Sequence, residues 1–278
     1  MKKLAITLGM TALALILTGS VLLSSAQAWW NEEWQFRKKI SLDTTASGAD
    51  IQQGLAGFSV LVRLHSGNFD FTKTKESGED IRFVAADELT VLKHQIEVYD
   101  PFDEIGLIWV KVPDLAGASN QGAVWLYYGN ESAAGGQDIK NSFDPMTQAV
   151  FHFNEFEGMP QDSSTYSNHS SEFTGGLGLA GSVGNGATFS GSGNMLRIPD
   201  NPAFNWAPGM TFSCWIKMFQ PQDDAYLLSR MSGGKGLAIA VRGTKITVMI
   251  ASGDSVYQTE EITDIPLEGW HHLAVTIV

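Results

Sequence analysis

The chain has 278 residues, of which 44% are hydrophobic and 17% charged, and 30 acids against 18 bases give a net charge of −12. That apolar content excludes a disordered chain, the acidic balance argues against a nucleic-acid partner, and a single cysteine, Cys214, excludes an intramolecular disulfide framework and a cysteine-based zinc cluster. With 29 Gly, 9 Pro, 8 Trp, 15 Phe and 6 Tyr, the composition points to a turn-rich, aromatic-rich all-β protein.

Residues 1–28 carry the three parts of a secretory signal peptide. Lys2 and Lys3 precede an apolar run from Leu4 to Leu17, and Ala26-Gln27-Ala28 forms a small-x-small cleavage site. Cleavage near Ala28 leaves a mature chain from Trp29 with 16 bases and 30 acids, a net charge of −14. The expected destination is the periplasm or the cell surface.

The mature chain reads as short apolar or alternating runs separated by turn-forming clusters. Strands are predicted over Gln35–Leu42, Phe58–Leu64, Asp80–Ala85, Leu89–Tyr99, Ile105–Val112 and Ala123–Tyr128. In Phe58–Leu64, Phe58, Val60, Val62 and Leu64 share one face, the period of a half-buried strand. Lys38 interrupts the equivalent pattern in the first strand. These strands make a first domain over residues 29–130. A Gly-rich and polar connection spans 131–148, with a short helix expected around Ala133 to Phe143. A second set of strands falls at Ala149–Asn154, Ala187–Ser190, Met195–Ile198, Met210–Phe219, Ala225–Arg230, Gly236–Val241, Lys245–Ala251, Ser255–Glu261 and Trp270–Val278. Gly175 to Gly186, almost uncharged, reads as irregular backbone; it lacks the Gly-Lys-Ser/Thr end of a phosphate loop. Spacing of about 8–12 residues between turn signals indicates a β-sandwich or jelly roll.

Two blocks carry family resemblances. Ala149-Val-Phe-His-Phe-Asn-Glu, Asp162-Ser-Ser-Thr-Tyr-Ser-Asn-His, Gly186-Ala-Thr-Phe-Ser-Gly, Met210-Thr-Phe-Ser-Cys-Trp-Ile-Lys and Gly269-Trp-His-His-Leu-Ala-Val-Thr resemble a laminin-G-like domain of the concanavalin-A-like lectin/glucanase superfamily. The resemblance implies a second sandwich, a jelly roll, over residues 149–278. Such domains continue past the Trp-His-His strand, so a chain ending at Val278 reads as an incomplete sandwich. Trp34-Gln-Phe-Arg-Lys-Lys-Ile, Val60-Leu-Val-Arg-Leu-His, Asp80-Ile-Arg-Phe-Val-Ala-Ala-Asp, Ile108-Trp-Val-Lys-Val-Pro and Leu126-Tyr-Tyr-Gly-Asn resemble a bacterial domain-of-unknown-function family that precedes such domains. That resemblance implies an exported unit associated with MotA/TolQ/ExbB-type proton-channel components.

Three sets of residues are candidates for chemistry. Glu155 and Glu157, on one face of a predicted strand, could pair as the acids of a retaining glycoside hydrolase, which needs two carboxyls about 5–5.5 Å apart. The glucanase signature of two Glu flanking an Asp is absent, so the reading is a non-enzymatic module, with hydrolase as the alternative. Asp162 and Asn168 bracket a loop of oxygen-bearing side chains that suits calcium, or equally an Asx turn; the lack of a dense acidic pattern favours the turn, and no other cofactor is implied. Trp206, in Pro202-Ala-Phe-Asn-Trp-Ala-Pro, could stack on a sugar, whereas Trp109, Trp125 and Trp215 are expected in the cores. His271 and His272 are neighbours on a strand and face opposite sides. The expected function is a cell-envelope module that binds a glycan or an envelope protein, with a structural spacer as a further alternative.

Overall fold

The computed structural model describes residues 29–191, 193–204, 209–252, 255–258 and 264–278. Residues 1–28, read above as a signal peptide, and Trp206 lie outside the described residues. The first part of the chain forms β1 (Phe36–Leu42), β2 (Leu55–His65), β3 (Arg82–Ala85), β4 (Val91–Leu92), β5 (His94–Asp100), β6 (Ile105–Leu115) and β7 (Gly122–Tyr128). After them come β8 (Glu172–Phe173), β9 (Gly176–Ala180), β10 (Asn185–Thr188), β11 (Leu196–Arg197), β12 (Met210–Lys217), β13 (Gln222–Ser232), β14 (Lys235–Gly243), β15 (Lys245–Ser252), β16 (Ser255–Gln258) and β17 (Trp270–Ile277).

Two antiparallel sheets make the first sandwich, one ordered β1-β7-β3-β4 and the other β2-β6-β5. The alternation predicted for Phe58–Leu64 holds from Val60 to Leu64, whereas Phe58 is 45% exposed. Val62 and Leu64 enter a core with Phe71, Ile81, Phe83, Ile108, Val110 and Leu126, while Val60 packs against it. The segment expected as one strand over Leu89–Tyr99 is two. β4 pairs with β3 in one sheet and β5 with β6 in the other, so the chain changes sheets at Lys93.

The outer faces of this sandwich are also covered. On the first sheet, Trp30 and Trp34 lie over Tyr127, and Trp34 Nε1 donates to Asp80 O at 2.6 Å. Arg37 sits 4.4 Å from the Trp125 ring and 4.7 Å from Trp29, and pairs with Glu88 at 2.6 Å. Such cation–π contacts add roughly 0.5–2 kcal/mol where water is excluded. Asp80, fully buried, accepts from the backbone N–H of Lys75, Gly129 and Asn130, tying the start of β3 to the end of β7. On the second sheet, residues 137–163 cover β2, β6 and β5. Ser59 Oγ donates to Ser142 O, Lys111 Nζ to Phe143 O and Gln95 Nε2 to Ser163 Oγ.

Three expectations are corrected in this region and the next. The helix expected around Ala133 to Phe143 is a single 3-10 turn, Ile139–Asn141, because the backbone there bonds to β5 instead: Asp138 N donates to His94 O. The strand expected over Ala149–Asn154 is an isolated bridge between Phe151 and Asp162, because Phe153 takes φ 57°, in the left-handed region that ends an extended run. The stretch Gly175 to Gly186, expected as irregular, contains the β9–β10 hairpin. Gly178 (φ 77°) and Gly184 (φ 56°) supply the backbone conformations it needs.

The second sandwich packs β12 and β17 against the sheet β13-β14-β15-β16. Phe212 and Ile216 of β12 and Leu273, Val275 and Ile277 of β17 meet Leu237, Ile239, Val241, Ile246 and Val248. Cys214 is on the inward side of β12, and burial pushes its thiol up to about 11, which keeps it protonated at neutral pH.

His94 gives this fold a pH dependence. It is buried beside the Phe83 ring at 5.5 Å, and burial pushes its pKa from 6.5 down to about 4, against smaller opposing effects of the Leu92 backbone and Asp138. The unfolded chain therefore takes up this proton before the folded one. The stability that neutral His94 protects is complete above about pH 6.5 and is lost as pH falls toward 4, by about 3 kcal/mol in all. Thermal melts of the chain and of His94→Gln should diverge in slope over that window, with the variant less sensitive; parallel profiles would contradict this assignment.

Candidate functional site

The sequence-predicted residues 155–168 lie on the segment that joins the two sandwiches. Glu155 and Glu157 do not share a strand face, because the chain bends between them and Phe156 projects into solvent, 83% exposed. Glu155 Oε1 accepts from Gln161 N at 2.8 Å, its Oε2 is buried with no hydrogen-bond partner, and Glu157 is exposed. The two carboxyls therefore have different surroundings and different local roles.

Asp162 is a buried hub. Its Oδ1 accepts from Val150 N at 2.7 Å and Ser164 N at 2.8 Å, and its Oδ2 from Ser164 Oγ at 2.6 Å and Asn168 N at 2.7 Å. Asn168 donates through Nδ2 to Gln148 O at 2.9 Å and accepts at Oδ1 from Asn201 Nδ2 at 2.7 Å. The four acceptor positions of the carboxylate thus meet four donors of the protein, which is the Asx-turn arrangement in its fullest form. A calcium ion would have to displace those donors. Among the described residues, no group of three or more His, Cys, Asp or Glu side chains gathers as a metal site.

Beside this hub lies a buried polar contact between the two parts of the chain that sequence reasoning missed. The register of β5 on β6 shifts between Ile96 and Val98, leaving Glu97 as the extra residue of a bulge. Glu97 Oε2 accepts from Trp109 Nε1 at 2.5 Å and lies 3.2 Å from His152 Nδ1, and Asn154 Nδ2 donates to Glu97 O at 2.9 Å. The tip of the β9–β10 hairpin closes over the same carboxylate. A Cβ at Gly184 would stand 2.6 Å from Glu97 Oε1, so only glycine allows this approach. These groups are too enclosed to meet a solute and hold the seam instead.

The exposed chemistry is on the outer face of β12 and β17. The inward parity of Phe212 and Ile216 turns Thr211, Ser213 and Trp215 outward. Trp215, expected in the core, is therefore 47% exposed. Across the ladder it faces His272, with ring centroids 5.2 Å apart, while His271 points inward. Thr211 Oγ1 and Thr276 Oγ1 are hydrogen-bonded at 3.0 Å further along the same face. At the other end Lys217 Nζ lies 5.1 Å from the exposed Phe219 ring. Trp270 shares this face and lies within 3.8 Å of where a Cβ of Gly186 would be, bringing the β9–β10 hairpin alongside. The result is an aromatic platform with flanking hydroxyls and one cation.

Residues 77–169 match the family model described as a domain of unknown function (DUF2341), and residues 190–277 match that of the concanavalin A-like lectin/glucanases superfamily. The chain thus carries the first kind of domain followed by the second. No curated protein and no solved structure matches it. Among the described residues no helix is long and apolar enough to cross a membrane.

The Asp162 hub makes a definite expectation. Asp162→Ala leaves three buried backbone donors and one hydroxyl without their acceptor, and should lower the unfolding free energy in urea by at least about 3 kcal/mol. Addition of calcium to the unaltered chain should leave its melting temperature where it was.

Proposed function

We propose that this protein is a binding module that takes a glycan on the outer face of β12 and β17. The observation that carries this reading is Trp215, a large indole held half-exposed at the centre of a strand face, beside His272 and within a row of Thr and Ser hydroxyls. A sugar ring offers an apolar C–H face that stacks on an indole and hydroxyls that exchange hydrogen bonds with Ser, Thr and His. A rigid ladder beneath the platform limits the ordering cost of binding. The concanavalin-A-like match over residues 190–277 includes both strands and supports a ligand-binding role for this sandwich.

The reading extends to place. The leader of residues 1–28, with its Ala26-Gln27-Ala28 site, would deliver the chain to the cell envelope. There, the resemblance of the first block to an exported family suggests work beside a MotA/TolQ/ExbB-type membrane component. A hydrolase is disfavoured by the separation of Glu155 and Glu157 onto different surroundings. If it were right, turnover of a β-glucan would occur and would disappear in Glu155→Gln.

A glycan array probed with the purified chain tests the main reading. Trp215→Ala should weaken binding to any retained glycan about tenfold or more, the range of an aromatic anchor. Its melting curve should be nearly unchanged, because the lost side chain is outside the core. Retention of no glycan by the unaltered chain, or equal affinity in the variant, would remove the proposal.

A further inference from the structure

Away from that face, the first sandwich is open along one side. Among the described residues β1 is an edge of its sheet, bonded only to β7, and β2 is an edge of the other, bonded only to β6. Between these two edges runs a groove of about 340 Å³, floored by Ile40, Leu42, Val60 and Val62. Ile40, Leu42 and Val60 are core side chains left partly uncovered at this margin. The groove lies outside the residues matched to either family.

The two edges are not equally available. Gln35 N donates to Gly129 O, on the β7 side, so by strand alternation the backbone groups of Lys38, Ile40 and Leu42 point toward the open side. On β2, Asn68 already takes that role for part of the edge: its Nδ2 donates to Arg63 O and its Oδ1 accepts from His65 N. On β1 the Asn68 side chain takes no backbone group, so that edge is the more open of the two. Charge selects what could come. The groove's lining includes Lys38, Lys39 and Arg63 and no acid, in a chain whose net charge is −12. Among the described residues none of these three bases is in an ion pair.

We propose that this groove binds an extended segment of a partner protein, with alternating apolar and acidic side chains, as an added strand on β1. Its apolar side chains would enter the gap above Ile40, Leu42 and Val62, and its carboxylates, on the opposite face of the added strand, would meet Lys39 on the outer side of β1. Backbone bonds to the edge supply affinity in this mode, and the alternate side chains supply specificity. The site is independent of the glycan face, so Trp215→Ala should not affect it.

The probe is a short peptide alternating valine and glutamate, titrated into the full chain by calorimetry and compared with its valine–lysine counterpart. The glutamate peptide should bind and the lysine peptide should not. N-methylation of the peptide amides that would face β1 should abolish binding, a control that leaves the protein unaltered. Lys39→Glu, at an exposed position, should weaken the glutamate peptide by about tenfold, as loss of complementary charge does. Equal binding of the two peptides, or indifference to N-methylation, would overturn the proposal. Concentration-dependent dimerisation that Lys39→Glu abolishes would also overturn it, by assigning the groove to a second copy of the chain.

Discussion

The first sandwich is governed by the burial of its central strands on both faces. In β3, Phe83 enters the core between the sheets and Val84 is buried on the opposite side; in β7, Leu126 and Tyr127 divide in the same way. A two-layer sandwich leaves its outer faces wet, so strands of this kind require additional layers. The layers come from segments with little regular structure of their own. The tryptophans at positions 29, 30 and 34 cover one sheet, and residues 137–163 cover the other. Polar residues on the covered sheet then need partners from the covering segment, which Gln95 finds in Ser163 and Glu97 in His152. The same constraint places Asp162 where it is. A covering segment with few ladder bonds needs another acceptor for its backbone N–H groups, and one carboxylate takes three of them.

Much of this was legible in the sequence because a strand's period of two is a local property. Val60 to Leu64 announces its inward face without knowledge of its partner. The change of sheet at Lys93 has no such signal, since Val91–Leu92 and His94–Asp100 are both extended and only their neighbours differ. Phe153 offers no clue either: a phenylalanine is among the last residues expected at φ 57°. Trp215 is a different case. The rule that tryptophan fills sandwich cores placed it inside, yet the parity of Met210, Phe212 and Ile216 against Thr211 and Ser213 already assigned it outward. Composition outweighed period there, and period was the better guide. For Asp162 the residue types fit both a calcium loop and an Asx turn, and the sparse acids already favour the turn. The direction of the surrounding N–H groups is the further signal, and that is a property of the folded backbone.

The two exposed surfaces differ in what they can recognise. The outer face of β12 and β17 presents side chains from strands whose backbone bonds to one another are made, so recognition there rests on ring faces and hydroxyls. The margin of β1 presents backbone as well as side chains, and a strand edge recognises any extended chain unless something limits it.

Lys38 is what limits the edge. By register with Leu126 it belongs to the inward face of β1, a position that an aliphatic residue would fill more easily. Its stem can lie along the apolar groove while its ammonium reaches out to the Asn68 carbonyl on the far side. An inward charge on an edge strand is a recognised guard against indiscriminate pairing, because an apolar incoming strand would have to desolvate it. The same charge does not exclude a strand with a small inward side chain opposite Lys38, which leaves the ammonium on the Asn68 carbonyl while the strand's carboxylates face Lys39 on the other side. A guard residue in this position therefore acts as a filter. The interruption that Lys38 makes in the alternation of the first strand is the local signature of that filter.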